Sequence, residues 1–366
     1  MAFISFEQPE RYNFAAGPAM LPAEVLEQIR EELPDWRDTG HSLLEELFTS
    51  PAFKQLMAET EQELRSLLAI PRHYRVLFLH GGASAQFGLL PLNLLQPGQS
   101  ADYLESGHWA RKASAEARRH APVNVIASGA EQDFTALPSS EYWCLDPDAG
   151  YCHITSNETG NGLQLPDFPE LPVPLVADMT SDFLTRPLPV ERFGLIYAST
   201  QKNLGVAGLC VVIVRDDLLR APPRGLPAAF SYAVQAKQQS RFNTPPTFAL
   251  YVAGLMLRWI ARRGGLPAMA EMADARSRQL YRYIDSSDLY LCRQTHAHRS
   301  MINVCFQLAD DRLLERFIAQ AANAGLANLQ GHSAVGGARA SLYNAMPALG
   351  VARLVEFMKE FEHDHG

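Results

Sequence analysis

Paired cysteine is the first thing the sequence lacks. Its five cysteines, Cys144, Cys152, Cys210, Cys292 and Cys305, include no Cys-x-x-Cys pair and are odd in number. That argues against a disulfide framework and for reduced thiols in a cytoplasmic setting. Cys210 and Cys305 sit inside apolar runs, where a thiol behaves as a small hydrophobe; no metal site is expected. Basic runs are also missing. The 32 Lys and Arg are outnumbered by 40 Asp and Glu, for a net charge of -8, so the chain carries no electrostatic footprint of a nucleic-acid binder. No apolar stretch approaches the ~20 residues of a membrane-spanning helix. Met1 to Arg11 carries acids and no apolar core, so it does not read as a secretory leader. Internal repeats, low-complexity segments, the dinucleotide fingerprint and the P-loop are absent as well.

What remains is an ordinary globular composition over 366 residues, enough for a large domain plus a smaller one. Pro22 to Ile29 opens a helix with proline in its first turn, and Phe53 to Leu68 places an apolar stripe at helical spacing. Seven strand-like segments, several of them short apolar runs, then alternate with helical stretches: Val76–Leu79, Tyr103–Leu104, Val123–Ile126, Tyr151–Thr155, Leu175–Ala177, Leu195–Ala198 and Leu209–Val214. Runs without polar alternation suit strands covered on both faces. The expected class is therefore α/β with a mainly parallel sheet. Near Gly264-Gly265 the texture changes. Helices over 269–284, 312–324 and 351–361, with a strand at 303–306, suggest a small C-terminal α+β domain. The expected division is an N-terminal segment 1–16 on the small domain, a large domain 17–265 and a small domain 266–366.

Three segments carry chemistry. Lys202 lies in Ala198-Ser199-Thr200-Gln201-Lys202-Asn203, just past an apolar strand. Burial lowers a lysine pKa, and a neutral amine forms Schiff bases; a solvated loop lysine is the plain alternative. Val76 to His80 runs into Gly81-Gly82-Ala83-Ser84-Ala85-Gln86 and a helix. That makes a phosphate cradle from free N–H groups and a helix dipole, or a simple tight turn. Asp178 ends the run Val173 to Ala177, where α/β proteins bind ligands. It either pairs with a protonated ring nitrogen or is an N-cap, with Thr180-Ser181-Asp182 following. Trp109 suits stacking on a flat ring, or a core position. The order cradle, aspartate, lysine is a pyridoxal-phosphate arrangement.

Tyr12 to Pro22, Phe242-Asn243-Thr244-Pro245-Pro246-Thr247-Phe248 and Arg339 to Pro347 then make the resemblance specific. The chain resembles the phosphoserine aminotransferase family, class-V pyridoxal-phosphate enzymes of fold type I, almost from end to end. The resemblance implies a seven-stranded, mainly parallel sheet in the large domain. It implies Lys202 as Schiff-base lysine and carrier of the Cα proton, Asp178 on the pyridine nitrogen, Trp109 stacked on the ring and Thr159 on the phenolic oxygen. The amides of Ala83 and Ser84, with Gln201, would hold the cofactor phosphate. Asn243 and Thr244 would complete a second subunit's site in a homodimer. Arg339 would clamp the substrate carboxylate and His332 would contact substrate.

The chain departs from that pattern on the substrate side. Leu47-Phe48-Thr49-Ser50 stands where the family has Ser-His-Arg-Gly, Ser84 replaces an arginine of the cradle, and His332-Ser333 replaces His-Arg. These lost cations imply a 2-oxo acid other than 3-phosphohydroxypyruvate, with an apolar Phe48 in place of a phosphate contact. Arg241 and Arg299 are candidate replacements, or surface arginines. A racemase, lyase or decarboxylase on the same scaffold, or a silent homologue, are the rival readings. Release of 2-oxoglutarate from glutamate separates the first three from a transaminase, and a visible cofactor band separates the last.

Overall fold

A computed structural model describes residues 11–221 and 225–366; residues 1–10 of the expected N-terminal segment lie outside it. The seven expected strands become one seven-stranded sheet. Its strands are β1 (Tyr74–His80), β2 (Ala101–Glu105), β3 (Val123–Ser128), β4 (Cys152–Thr155), β5 (Leu175–Asp178), β6 (Leu195–Ser199) and β7 (Leu209–Arg215). The spatial order is β1-β7-β6-β5-β4-β2-β3. Only β7 runs antiparallel, inserted between β1 and β6. Every residue of β4, β5 and β6 is buried, which is why those strands show no alternation of apolar and polar residues.

Helices cover both faces. Helix α1 spans Ala23–Glu32 and α2 spans Pro51–Leu68. Ser50 caps α2 by accepting from Phe53 N at 3.0 Å, with Pro51 in the first turn and Ala69 ending it in the left-handed region. Its stripe of Phe53, Leu56, Leu64 and Leu68 is buried in the larger core. Helices α3 (Ala83–Leu94), α4 (His108–Ala117), α5 (Tyr232–Lys237) and α6 (Thr247–Arg262) complete this layer.

After α6 come Gly264 and Gly265, both with positive φ, and then the long helix α7 (Gly265–Ser286). Its first turns, at Leu266 and Met269, join the core beneath the large sheet. Its later turns, at Leu280 and Ile284, join a separate core. That second core is built on a three-stranded sheet of β8 (Tyr290–Leu291), β9 (Asn303–Leu308) and β10 (Ala338–Ser341), with α8 (Leu314–Asn323) and α9 (Ala348–His365). The apolar cores thus change over within α7 rather than at the glycine pair. Residues Tyr12–Asn13 pair in parallel with Leu326–Ala327, and Phe14 is buried in the second core.

Candidate active site

The C-terminal ends of β1, β4, β5 and β6 meet at one edge of the sheet, where the β10 side approaches. There a cavity of about 280 Å³ is lined by Ala83, Ser84, Trp109, Thr159, Asp178, Gln201, Lys202, His332 and Arg339. These nine positions are scattered over the sequence, and the fold brings them to one cleft. Asn243 and Thr244 are the two expected site residues that it leaves out.

Lys202 is buried, and its Nζ donates to Thr159 Oγ1 at 2.8 Å. Burial lowers its pKa from 10.5 to about 8, with nearby Arg339 pulling the same way and Asp178, Asp182 and Glu158 pulling against it. The amine is therefore partly neutral near physiological pH, as a nucleophile requires. The solvated-loop alternative is ruled out by this burial.

Asp178 is buried as well. Its Oδ1 accepts from Thr180 N at 2.9 Å, so the turn-capping role exists alongside its place on the cavity wall. Burial raises the carboxyl pKa, while the Thr180 hydrogen bonds and the Lys202 charge oppose that rise. No helix starts there; the strand simply ends in a turn.

Trp109 stands in the first turn of α4, half-buried on the cavity. Its position is set by a residue that sequence reasoning passed over. Glu158, fully buried, accepts from Trp109 N at 2.9 Å and Ala110 N at 2.8 Å. It replaces the missing side-chain cap of a helix whose N-cap residue is Gly107. Gly107 has no room for a side chain: a Cβ would lie 2.6 Å from the Glu158 carboxyl carbon. The helix N-terminus favours a carboxylate, yet burial still pushes the pKa of Glu158 up to about 7. The only signal in the sequence was its place beside Thr159, since its partners lie 48 and 49 positions away.

Among the described residues, Arg339 on β10 has only a 3.5 Å contact from Nη2 to Gln330 O, and its buried Nε and Nη1 have no partner. A guanidinium with orphaned donors facing a cavity is built for an anion such as a carboxylate. His332 packs its ring 4.2 Å from His108. Burial, Arg339 and Lys112 all lower the His332 pKa.

At the cradle, Gly81 has φ +91°, and α3 starts at Ala83 without a side-chain cap. Ala83 N donates to Ser199 Oγ at 2.5 Å. Gly82 of the expected cradle also lines the cavity, as do Ser199 and Gly17, to which the sequence assigned no role. Gly17, with φ +137°, lets the N-terminal loop pass over Lys202, whose Cγ would be 3.5 Å from an added Cβ.

Asn243 and Thr244 are exposed and lie outside the cavity of their own chain. They contact His80, which ends β1: Thr244 O lies 2.7 Å and Asn243 Nδ2 3.2 Å from its Nε2. The two candidate replacement arginines line no part of the cavity of their own chain either. Arg299 is paired with Asp285 at 2.7 Å and bonded to Gln294 O, and Arg241 donates to Gln239 Oε1. Phe48 is half-buried against the large core rather than facing the cavity of its own chain.

The residues present fit pyridoxal 5'-phosphate. A lysine of lowered pKa faces a buried acid across a cleft with an indole wall, a helix N-terminus and an unpaired guanidinium at its rim. Comparison with known proteins agrees. The model of the aminotransferase class-V family matches residues 11–354. The phosphoserine aminotransferase of Nitrosomonas europaea is 48% identical over 363 residues, 97% of this chain and 99% of that protein. Among solved structures, phosphoserine aminotransferase from Bacillus circulans subsp. alkalophilus superposes with TM-score 0.95 at 41% identity, over 97% of this chain and 99% of that one. A PLP-bound phosphoserine aminotransferase from Trichomonas vaginalis gives 0.92 at 37%, over 95% and 99%.

Proposed function

Because the chain belongs to the class-V aminotransferases, within the phosphoserine aminotransferase family, we propose that this pyridoxal-phosphate enzyme exchanges an amino group between glutamate and a short 2-oxo acid whose distal group is smaller or less charged than a phosphate ester. When bound, the cofactor supplies an electron sink for the pair left on Cα. The chain's residues do the rest. Lys202 Nζ holds the cofactor and moves the Cα proton. Asp178 keeps the ring nitrogen charged, Trp109 packs on the ring face, and Thr159 meets the phenolic oxygen. The α3 N-terminus at Ala83 and Ser84, with Gln201, takes the phosphate. Arg339 takes the substrate α-carboxylate, and His332 stands beside the distal end.

Asn243 and Thr244 complete the partner's site in a homodimer. Their exposure outside their own cavity supports this, as do the exposed Leu44, Leu47 and Phe242. Among the described residues no helix is long and apolar enough to cross a membrane. All five cysteines are free, which supports the reducing, cytoplasmic setting.

The observation carrying the substrate reading is the shortage of cations on the cavity wall. Among the described residues of the chain itself, only Lys202, Arg339 and His332 supply cationic side chains to it, and the first two are committed. Burial and the nearby Arg339 and Lys112 charges hold the His332 pKa below its usual value, which disfavours its charged form. Phosphate carries nearly two charges and favours bidentate arginine. Hydrogen bonds to charged groups contribute roughly 1.5–3 kcal/mol each, so losing two costs on the order of 10²-fold or more in kcat/KM. The relatives' name supports a second reading, glutamate with 3-phosphohydroxypyruvate. The ratio of kcat/KM for phosphohydroxypyruvate to that for unphosphorylated 2-oxo acids tests the choice. The first reading predicts a ratio well below one; a clear preference for the phosphorylated acid overturns it in favour of the second.

A further inference from the structure

Ser199 is the last residue of β6, 3% exposed, on the cavity wall. Alternation along the strand puts it on the face of Tyr197, which packs against Phe87 of α3 at a ring distance of 6.5 Å. Its backbone N donates to Thr180 Oγ1 at 3.2 Å, fixing the strand end. Its Oγ accepts from Ala83 N, the first amide of α3. Gly82 permits this approach, since a Cβ there would lie 3.1 Å from Ser199 Oγ. A hydroxyl has one proton to give, and Ser199 Oγ gives it to no described group. The helix N-terminus therefore ends not in a bare amide but in a buried hydroxyl with an unspent donor.

We propose that Ser199 is a direct ligand of the cofactor phosphate, accepting from Ala83 N and donating its hydroxyl proton to a phosphate oxygen. The inference rests on reading the cavity as the cofactor site. The hydroxyl, reaching the cradle from β6 across from α3, thereby takes over the phosphate contact that the Ala83 amide would otherwise make directly, leaving the Ser84 amide and Gln201 as the other donors. The amide of Ala83 polarises the hydroxyl, so the pair acts as one donor extended toward the anion.

The test compares two probes on the cofactor-free protein, pyridoxal 5'-phosphate and pyridoxal, by absorbance titration. Ser199→Ala is expected to weaken pyridoxal 5'-phosphate about tenfold to a hundredfold, the range for a hydrogen bond to a charged group. Pyridoxal, which lacks the phosphate, should bind Ser199→Ala as it binds the parent. Ser199→Thr, which keeps a hydroxyl, should retain most of the affinity. Circular dichroism confirms that each variant is folded. Unchanged or tighter binding of pyridoxal 5'-phosphate by Ser199→Ala overturns the proposal: the hydroxyl would then only cap α3 and compete with the anion. Equal weakening of both probes overturns it too. Failure of the parent protein to bind either probe would instead reject the cofactor site itself.

Discussion

A lysine nitrogen with a pKa near 8 behaves differently from one near 10.5, and the difference is measurable at Lys202. Its lowered pKa means that the folded, cofactor-free chain binds fewer protons here than the unfolded chain between about pH 8 and 10.5. Below about pH 8 the buried ammonium destabilises the fold, and that penalty is relieved as pH rises through this window. The neutral fraction grows in step. Capture of pyridoxal 5'-phosphate by the cofactor-free protein should therefore accelerate with pH, with a midpoint near 8, then level off. A rate independent of pH from 6 to 10 contradicts the assignment. Borohydride reduction of the loaded protein should label the peptide containing Lys202, and Lys202→Ala should fold but lose that label. Asp178→Asn probes the acid across the cleft. An amide cannot stabilise a protonated ring nitrogen, and a charge-assisted bond is about twice as strong as a neutral one. Cofactor binding should persist while the glutamate half-reaction slows by tenfold or more. A near-normal half-reaction would reduce Asp178 to its hydrogen bond with Thr180.

Elements explain why some of these residues were legible in sequence and others were not. Lys202 and Asp178 stood out because each follows a strand with no polar alternation, and such strands end where an α/β sheet binds ligands. The strands themselves were legible for the same reason, each landing within a few residues of its expected bounds. The start of α4 was not. Glu158, which holds it, is an ordinary acid in the sequence, and its partners are brought to it only by the fold. Ser199 was equally silent, since a serine at a strand end says nothing about which amide will face it. Arg299 shows the converse. A cation can be counted in sequence, but its engagement with Asp285 is invisible there. The Glu158 cap is testable. Glu158→Ala strands the buried amides of Trp109 and Ala110, at roughly 1–3 kcal/mol for each unmet donor. It should lower the unfolding free energy by a few kcal/mol and alter quenching of Trp109 by bound cofactor. Glu158→Gln, which keeps an acceptor, should recover much of both. Unchanged quenching in Glu158→Ala would show that α4 holds its place without the carboxylate.

At the scale of the whole molecule, two apolar cores share one long helix and meet around the cleft. Arg339 comes from the smaller sheet and Lys202 from the turn after β6 of the larger, so the proposed substrate site joins the two. The proposed dimer adds Asn243 and Thr244 from a second copy. Mixed dimers of Lys202→Ala with an Asn243→Ala/Thr244→Ala chain should regain activity that neither variant has alone, because one of the two sites is then assembled from intact parts. A fully active monomer in solution would remove the need for the partner. The central claim is transamination at this cleft, and a single turnover with glutamate tests it most directly. The loaded protein, mixed with excess glutamate and no acceptor, should release one 2-oxoglutarate per site as the cofactor absorption shifts, with Lys202→Ala slowed by orders of magnitude. Absence of 2-oxoglutarate, or a Lys202→Ala variant that releases it as fast as the parent, would contradict the account.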